Sequence, residues 1–332
     1  LQFGHEKRRI DITEAPYFCR GDGSILNTDN LQRAINDCGA DDILYVPAGN
    51  FLTGALRLHS DLEIYLAKGA VLQGTTNLHD YAPRIPSRFE GTEMRCYSSL
   101  LNAGDLNSKT GANCRNIILR GKGTICGGGQ ELARKIIEDE RARIKSFLDD
   151  NEELVKSCEN HDTIPGRVRP RLINLSNCEN VWISGLTLKN APSWNVHMIY
   201  CNDIQTDHCR FVSEGVWNGD GWDPDSSTHC TLFASEFSTG DDAVAIKSGK
   251  NPEGNEINRP CAHIKVFDCR SECGHGICIG SEMSGGVEDV QIWDCDLAES
   301  LSGIEIKATP KRGGYVRGVT VRDCTAPRVM LH

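Results

Sequence analysis

NCENVWISGLTL, residues 177–188, alternates apolar and polar positions and then breaks at Gly185. The same grammar returns as YCNDIQTDHCRF (200–211), THCTLFASEF (228–237), PCAHIKVFDC (260–269), EDVQIWDC (288–295) and RGVTVRDC (317–324), and it is foreshadowed by NCRNIIL (113–119). The first apolar strand residues of these stretches are Ile117, Val181, Ile204, Cys230, Ile264, Val290 and Val319. From Val181 onward they lie 23, 26, 34, 26 and 29 residues apart. Short alternating strands with Gly, Asn and Asp at the corners, repeating at this period, fit the coils of a parallel β-helix. The fold class expected is therefore all-β: a parallel β-helix running through residues 1–332.

The cysteines keep the same register. Cys114, Cys178, Cys201 and Cys261 lie three residues before their anchors, and Cys209, Cys269, Cys295 and Cys324 lie five after theirs. Sixteen cysteines without a CxxC pair read as small buried hydrophobes stacked in ladders, rather than as metal or redox sites. A few disulfides stay open on this reading.

Working outward toward the N-terminus, NTDNLQRAINDC from Asn27 offers Asn27 or Thr28 as a helix cap. Leu31, Ala34 and Ile35 follow at helical spacing, so a capping helix over the first coil is expected. The stretch from Asp42 to Gly74 alternates between Gly and Pro turns and reads as further coils. Residues 130–160 break the pattern: ELARKIIEDERARIKSFLDDNEELVKSC is charged and helical, and reads as a helical insertion. A solvated surface helix is its first reading, a substrate-facing lid the second. At the other end YVRGVTVRDCTAPRVMLH carries no capping element, so further C-terminal coils are expected.

Of 332 residues, 39% are hydrophobic and 25% charged, and the formal net charge is −10. This composition belongs to a folded chain, and the global basic footprint of a nucleic-acid binder is missing. No apolar run is long enough to span a membrane. Local basic subsites in a cleft remain compatible with that charge.

Three motifs concentrate chemistry: NGDGWDPDSS (218–227), STGDDAVAIKSG (238–249) and CGHGICIGSE (273–282). Gly240-Asp241-Asp242 and Gly274-His275-Gly276 stand at equal offsets from successive anchors, so His275 is expected beside the aspartate pair. Asp220 and Lys307 fall in the same sector. Crowded carboxylates push at least one pKa up and keep a proton available. Glycosidic cleavage needs that division between an acid and a base. Asp223 and Asp225 read as structural residues closing a turn, and Lys247 stays open.

NGDGWDP, GDD, GHG and GIEIK, in that order, resemble the four signature motifs of the polygalacturonases, glycoside hydrolase family 28. The N-terminal GDG…NTDNLQRAINDC…VPAGNFLTGALRLHSDL, the segment from Arg169 and KRGGYVRG from Lys311 are similar to that family too. The resemblance implies a right-handed β-helix that hydrolyses galacturonate bonds in pectin with inversion, without cofactor or metal. It implies Asp241 as general acid, Asp220 and Asp242 positioning and deprotonating water, and His275 tuning Asp241. Lys307 would bind a substrate carboxylate. Asn218, Glu305, Arg312, Arg169 and Arg171 are the further substrate-facing candidates.

The family's fourth motif usually reads Arg-Ile-Lys, whereas this chain has Glu305-Ile306-Lys307. A carboxylate there would repel a uronate, which points toward rhamnogalacturonan or a decorated pectin. Arg312, and Arg169 or Arg171 from the other side, could compensate. The implied partner is an acidic pectic polysaccharide or oligosaccharide, with exo action expected if the insertion blocks the groove. Two rivals are a β-helix lyase working by β-elimination and a non-catalytic carbohydrate-binding β-helix. A secreted or periplasmic location follows from a polymer substrate, with a cytoplasmic oligosaccharide-trimming role as the alternative that so many thiols keep open. The sequence implies no oligomeric state.

Overall fold

The central coils of the chain each contribute one strand to each of three parallel sheets. The computed structural model describes residues 7–332. In one coil Cys178–Ser184 joins a ten-stranded sheet, Thr187–Lys189 a seven-stranded sheet and Val196–Ile199 a nine-stranded sheet. Asn202–Asp207 then returns to the ten-stranded sheet beside the first. The winding is that of a right-handed parallel β-helix.

The anchors pair as their spacing demands. Ile117 lies opposite Val181, Val181 opposite Ile204, Ile204 opposite Cys230, Ile264 opposite Val290 and Val290 opposite Val319. Immediately before them, Asn116, Asn180, Asp203, His229, His263, Asp289 and Gly318 all have φ between 50° and 66°. Asn, Asp and Gly tolerate this left-handed kink best, which is why they punctuate the strands. Beyond the kink at Asn180 the alternation is strict: Val181 and Ile183 are buried, while Trp182 between them is 38% exposed. Fully burying one such Val or Ile stabilises the coil by about 1.5–3 kcal/mol. The ladder cysteines fill this core and are free thiols.

Helix α1, Thr28–Asp37, turns Leu31, Ala34 and Ile35 inward. Thr28 Oγ1 accepts from the Gly54 N–H at 2.8 Å, while Asn27 uses its side chain to tie Arg20 to the first coils instead of capping. The chain between Thr124–Cys126 and Ile173–Ser176 forms four helices, α2 (Gly129–Arg143), α3 (Lys145–Asp150), α4 (Glu152–Lys156) and α5 (Thr163–Gly166). Leu132, Ile136 and Ile137 bury the inner face of α2.

One element has no counterpart in the sequence reading. Ile85–Phe89 and Thr92–Cys96 form an antiparallel hairpin. Its two-residue tip has φ of 44° at Glu90 and 78° at Gly91, the geometry of a tight hairpin turn. It lies over the outer face of the nine-stranded sheet through polar contacts. Arg88, fully buried, reaches Asp225 at 2.8 Å, and Ser87 donates to Asn174 at 2.8 Å. Phe89 stacks on Trp194 with ring centroids 4.9 Å apart. Asp223 and Asp225 thus sit on the strand Trp222–Asp225, not in a turn, and Asp225 also meets His197 Nε2 at 3.1 Å.

Candidate active site

Asp220, the Asp241-Asp242 pair and His275 occupy the turns that lead into three consecutive strands of the nine-stranded sheet, Trp222–Asp225, Val244–Ile246 and Gly276–Ile279. His275 Nδ1 lies 3.1 Å from Asp241 Oδ1 and 2.9 Å from Asp242 Oδ1. The pairing of Val244 with Ile277 sets Asp242, not Asp241, directly opposite His275. Between the Phe237–Ser271 pair and the Val244–Ile277 pair the register slips by one residue, which departs from equal offsets. Lys307 comes from the far end of the next strand, Gly303–Ile306, and its ammonium reaches back to within 3.1 Å of both oxygens of Asp242. Cys278 donates its thiol to the same Oδ1 at 3.1 Å.

These contacts separate the carboxylates by charge state. Burial pushes Asp242 upward, but the His275 hydrogen bond and the charges of Lys307 and Lys247 outweigh it and bring its pKa to about 2. His275, bonded to both Asp241 and Asp242, is raised to about 10 against partial burial. Asp220 is pushed well above the ordinary range by burial, then by the charges of Asp223 and Asp241. Asp223, whose oxygens find no hydrogen-bond partner among the described residues, is raised by burial too. Asp242 is therefore ionised at neutral pH, while burial and its acidic neighbours disfavour the charged form of Asp220. Asp241 has its side chain 26% exposed at the cleft floor.

Asp241, Asp242 and His275 are also donors of metal-ligating type, within 4.8 Å of one another. The Lys307 ammonium already neutralises Asp242 there, and a bound cation would be set against it.

The cleft above this floor encloses about 510 Å³. Leu154, Ser157, Cys158, Glu159 and Thr163 of the helical segment line it, so the end of that segment walls the site, while α3 and α4 bury no residue and keep the character of surface helices. Asn218, Lys307 and Arg312 line the cleft as expected of substrate-facing residues. Arg169 and Arg171 do not, and both are 1% exposed. Arg169 donates to the carbonyls of Gly166 and Trp217 and to Asn218 Oδ1 at 2.8, 2.9 and 2.6 Å, and its guanidinium lies over the Trp217 ring. Arg171 donates to Ser87 and to the Arg169 carbonyl. Carbonyls, the Ser87 hydroxyl and aromatic faces hold these guanidinium groups underneath the site, with Arg171 Nε left unpartnered, so the expectation that they face substrate is corrected. Glu305 also stays outside the cleft, pairing with His332 at 2.9 Å.

Glu90, Trp194, Lys250, Ser281, Glu282 and Arg167 also line the cleft and were not singled out from the sequence. Glu90 and Gly91 sit between two short alternating runs, a hairpin signal that would have brought Glu90 to notice. Lys247, buried below Trp194, pairs with Glu282 at 2.9 Å and keeps that carboxyl at about 2, the charge outweighing burial.

The match to known sequences now decides the family. The model of glycosyl hydrolases family 28 matches residues 38–329. The chain belongs to this family. A Vitis vinifera protein described as "Probable polygalacturonase" is 32% identical over 92% of this chain and 58% of its own length. The exo-poly-α-D-galacturonosidase of Dickeya chrysanthemi is 28% identical over 95% of this chain and 54% of its own length. The chain thus spans a little over half of these relatives. The crystal structure of a hyperthermoactive exopolygalacturonase from Thermotoga maritima superimposes with a TM-score of 0.77 at 25% identity, covering 98% of this chain and 78% of that one. Among the described residues, no helix of this family member is long and apolar enough to cross a membrane.

Proposed function

We propose that this chain hydrolyses α-linked galacturonate bonds from the ends of pectic chains, with inversion at the anomeric carbon. The observation that carries the reading is the Asp241–Asp242–His275–Lys307 cluster on the floor of a walled cleft in a family 28 chain. Asp241 donates a proton to the leaving glycosidic oxygen as the bond to the anomeric carbon breaks. Water attacks that carbon from the opposite side and gives its proton to Asp242, with Asp220 holding the water by a hydrogen bond. His275, charged and shared between Asp241 and Asp242, fixes both side chains and offsets the charge left on Asp241. Lys307 keeps Asp242 ionised and binds a substrate carboxylate.

Exo action is supported by the wall of helical residues from Leu154 to Thr163, together with the hairpin tip at Glu90. Glu90 accepts from Arg167 Nε at 2.9 Å, which ties the tip to the segment beyond α5. Glu305 faces His332 instead of the cleft, so it gives no reason to prefer rhamnogalacturonan. A polymer substrate places the reaction outside the cell or in the periplasm.

Digestion of homogalacturonan and rhamnogalacturonan fragments in the presence of a chelator tests this reading. Saturated monogalacturonate or digalacturonate from the former is expected. Random internal cuts would remove the exo assignment, unsaturated ends would favour the lyase, and cleavage of rhamnogalacturonan alone would change the substrate. Oligosaccharide binding without turnover would favour a binding module.

A further inference from the structure

Five cations line the cleft: Arg167, Lys247, Lys250, Lys307 and Arg312. Four are already engaged. Arg167 holds Glu90 at 2.9 Å, Lys247 holds Glu282 at 2.9 Å, and Lys307 holds Asp242 at 3.1 Å. Arg312 donates to the Ser281 carbonyl at 3.1 Å and lies 3.8 Å from Glu282. Lys250 lines the same cleft, and no carboxylate of the described residues forms an ion pair with it. Its backbone is nevertheless fixed. The Lys250 N–H donates to the Gly91 carbonyl of the hairpin tip at 2.9 Å, and its own carbonyl accepts from Gly254 N at 2.6 Å. Gly91 cannot carry a side chain there, because a Cβ would lie 2.6 Å from Lys250 N. A half-buried lysine without an ion-pair partner among the described residues, on a backbone held at two points beside the hairpin tip, is poised to meet an incoming anion.

We propose that Lys250 is a specificity-determining residue that takes the carboxylate of the uronate unit lodged against the hairpin tip. The inference rests on the hydrolase reading and deepens it. The Glu90 carboxylate beside it accepts from sugar hydroxyls, so the pair distinguishes an acidic sugar from a neutral or esterified one. It also supplies a cation for a substrate carboxylate in a chain whose fourth motif carries Glu305 in place of Arg.

The test compares trigalacturonate with its methyl ester, on the wild-type chain and on Lys250→Met and Lys250→Arg. Lys250→Met should raise KM for trigalacturonate about tenfold, the scale of one charge-assisted hydrogen bond, with kcat nearly unchanged. Affinity for the methyl ester should stay level, and Lys250→Arg should restore most of the loss. The Lys250 side chain makes no hydrogen bond or ion pair among the described residues, so Lys250→Met should fold, which circular dichroism checks. Calorimetric titration of both ligands into Asp241→Asn, with and without Lys250→Met, reads the same difference without turnover. An unchanged KM and Kd, or equal losses for acid and ester, would overturn the proposal. Absence of wild-type turnover together with a Lys250-dependent preference for the acid would sink the hydrolase reading and leave the subsite standing.

Discussion

His275 is held by two carboxylates at 3.1 and 2.9 Å, and that single arrangement makes the site pH-sensitive in a defined direction. Its pKa is raised from 6.5 to about 10, so the charged imidazole is the form the fold favours. Its contribution to stability is complete below the unfolded value of 6.5 and is lost as pH rises toward about 10. Asp242 behaves oppositely. Its pKa is lowered from 3.8 to about 2, so its contribution is present above 3.8 and is lost as pH falls through about 2. Thermal melting of the wild type against His275→Gln should therefore show its widest gap near pH 6, narrowing toward pH 10. A gap that widens with rising pH would mean that the imidazole is neutral and that the carboxylates are held apart by other means. At this same scale charge misleads a reader of sequence. Arg169 and Arg171 look like cleft residues, because only the folded coils supply the carbonyls and rings that bury them. Lys250 is one charge in a turn and carries no pattern at all.

The coils were legible element by element because a β-helix interior repeats one demand. Each anchor must be small and apolar, and each corner before it must accept a left-handed backbone. Ile, Val and Cys answer the first demand, and Asn, Asp and Gly the second. The hairpin at 85–96 left a weaker trace, only the Glu90-Gly91 turn between two short runs. It docks through Ser87–Asn174, Arg88–Asp225 and one stacked pair, Phe89–Trp194, a largely polar interface that lies outside the coil repeat. Breaking that buried pair with Arg88→Met should cost about 3–5 kcal/mol, because Asp225 would keep a buried charge with less to balance it. The helical segment was legible as helix but not as a wall, since Leu154 and Cys158 meet the cleft only through the tertiary packing. The cysteine ladders give an element-scale prediction. Cys158, Cys273 and Cys324 are half-buried and the rest are buried. A thiol reagent should titrate about three groups in the native chain and all sixteen after denaturation without reductant. Fewer than sixteen would reveal disulfides in the ladders.

Over the whole molecule, Asp220, the Asp241-Asp242 pair, His275 and Lys307 stand on consecutive coils along the nine-stranded sheet, and residues of the helical segment and the hairpin tip line the same cleft. Rigid coils fix the spacing of the reacting groups, while the loops set which part of a polymer can reach them. The central claim is that Asp241 and Asp242 carry out direct displacement by water. Proton NMR of the first sugar released from an oligogalacturonate tests it most directly, read before mutarotation, with Asp241→Asn as the control. The β-anomer is expected from the wild type and no release from the variant. First-formed α-anomer, or undiminished release from Asp241→Asn, would contradict it.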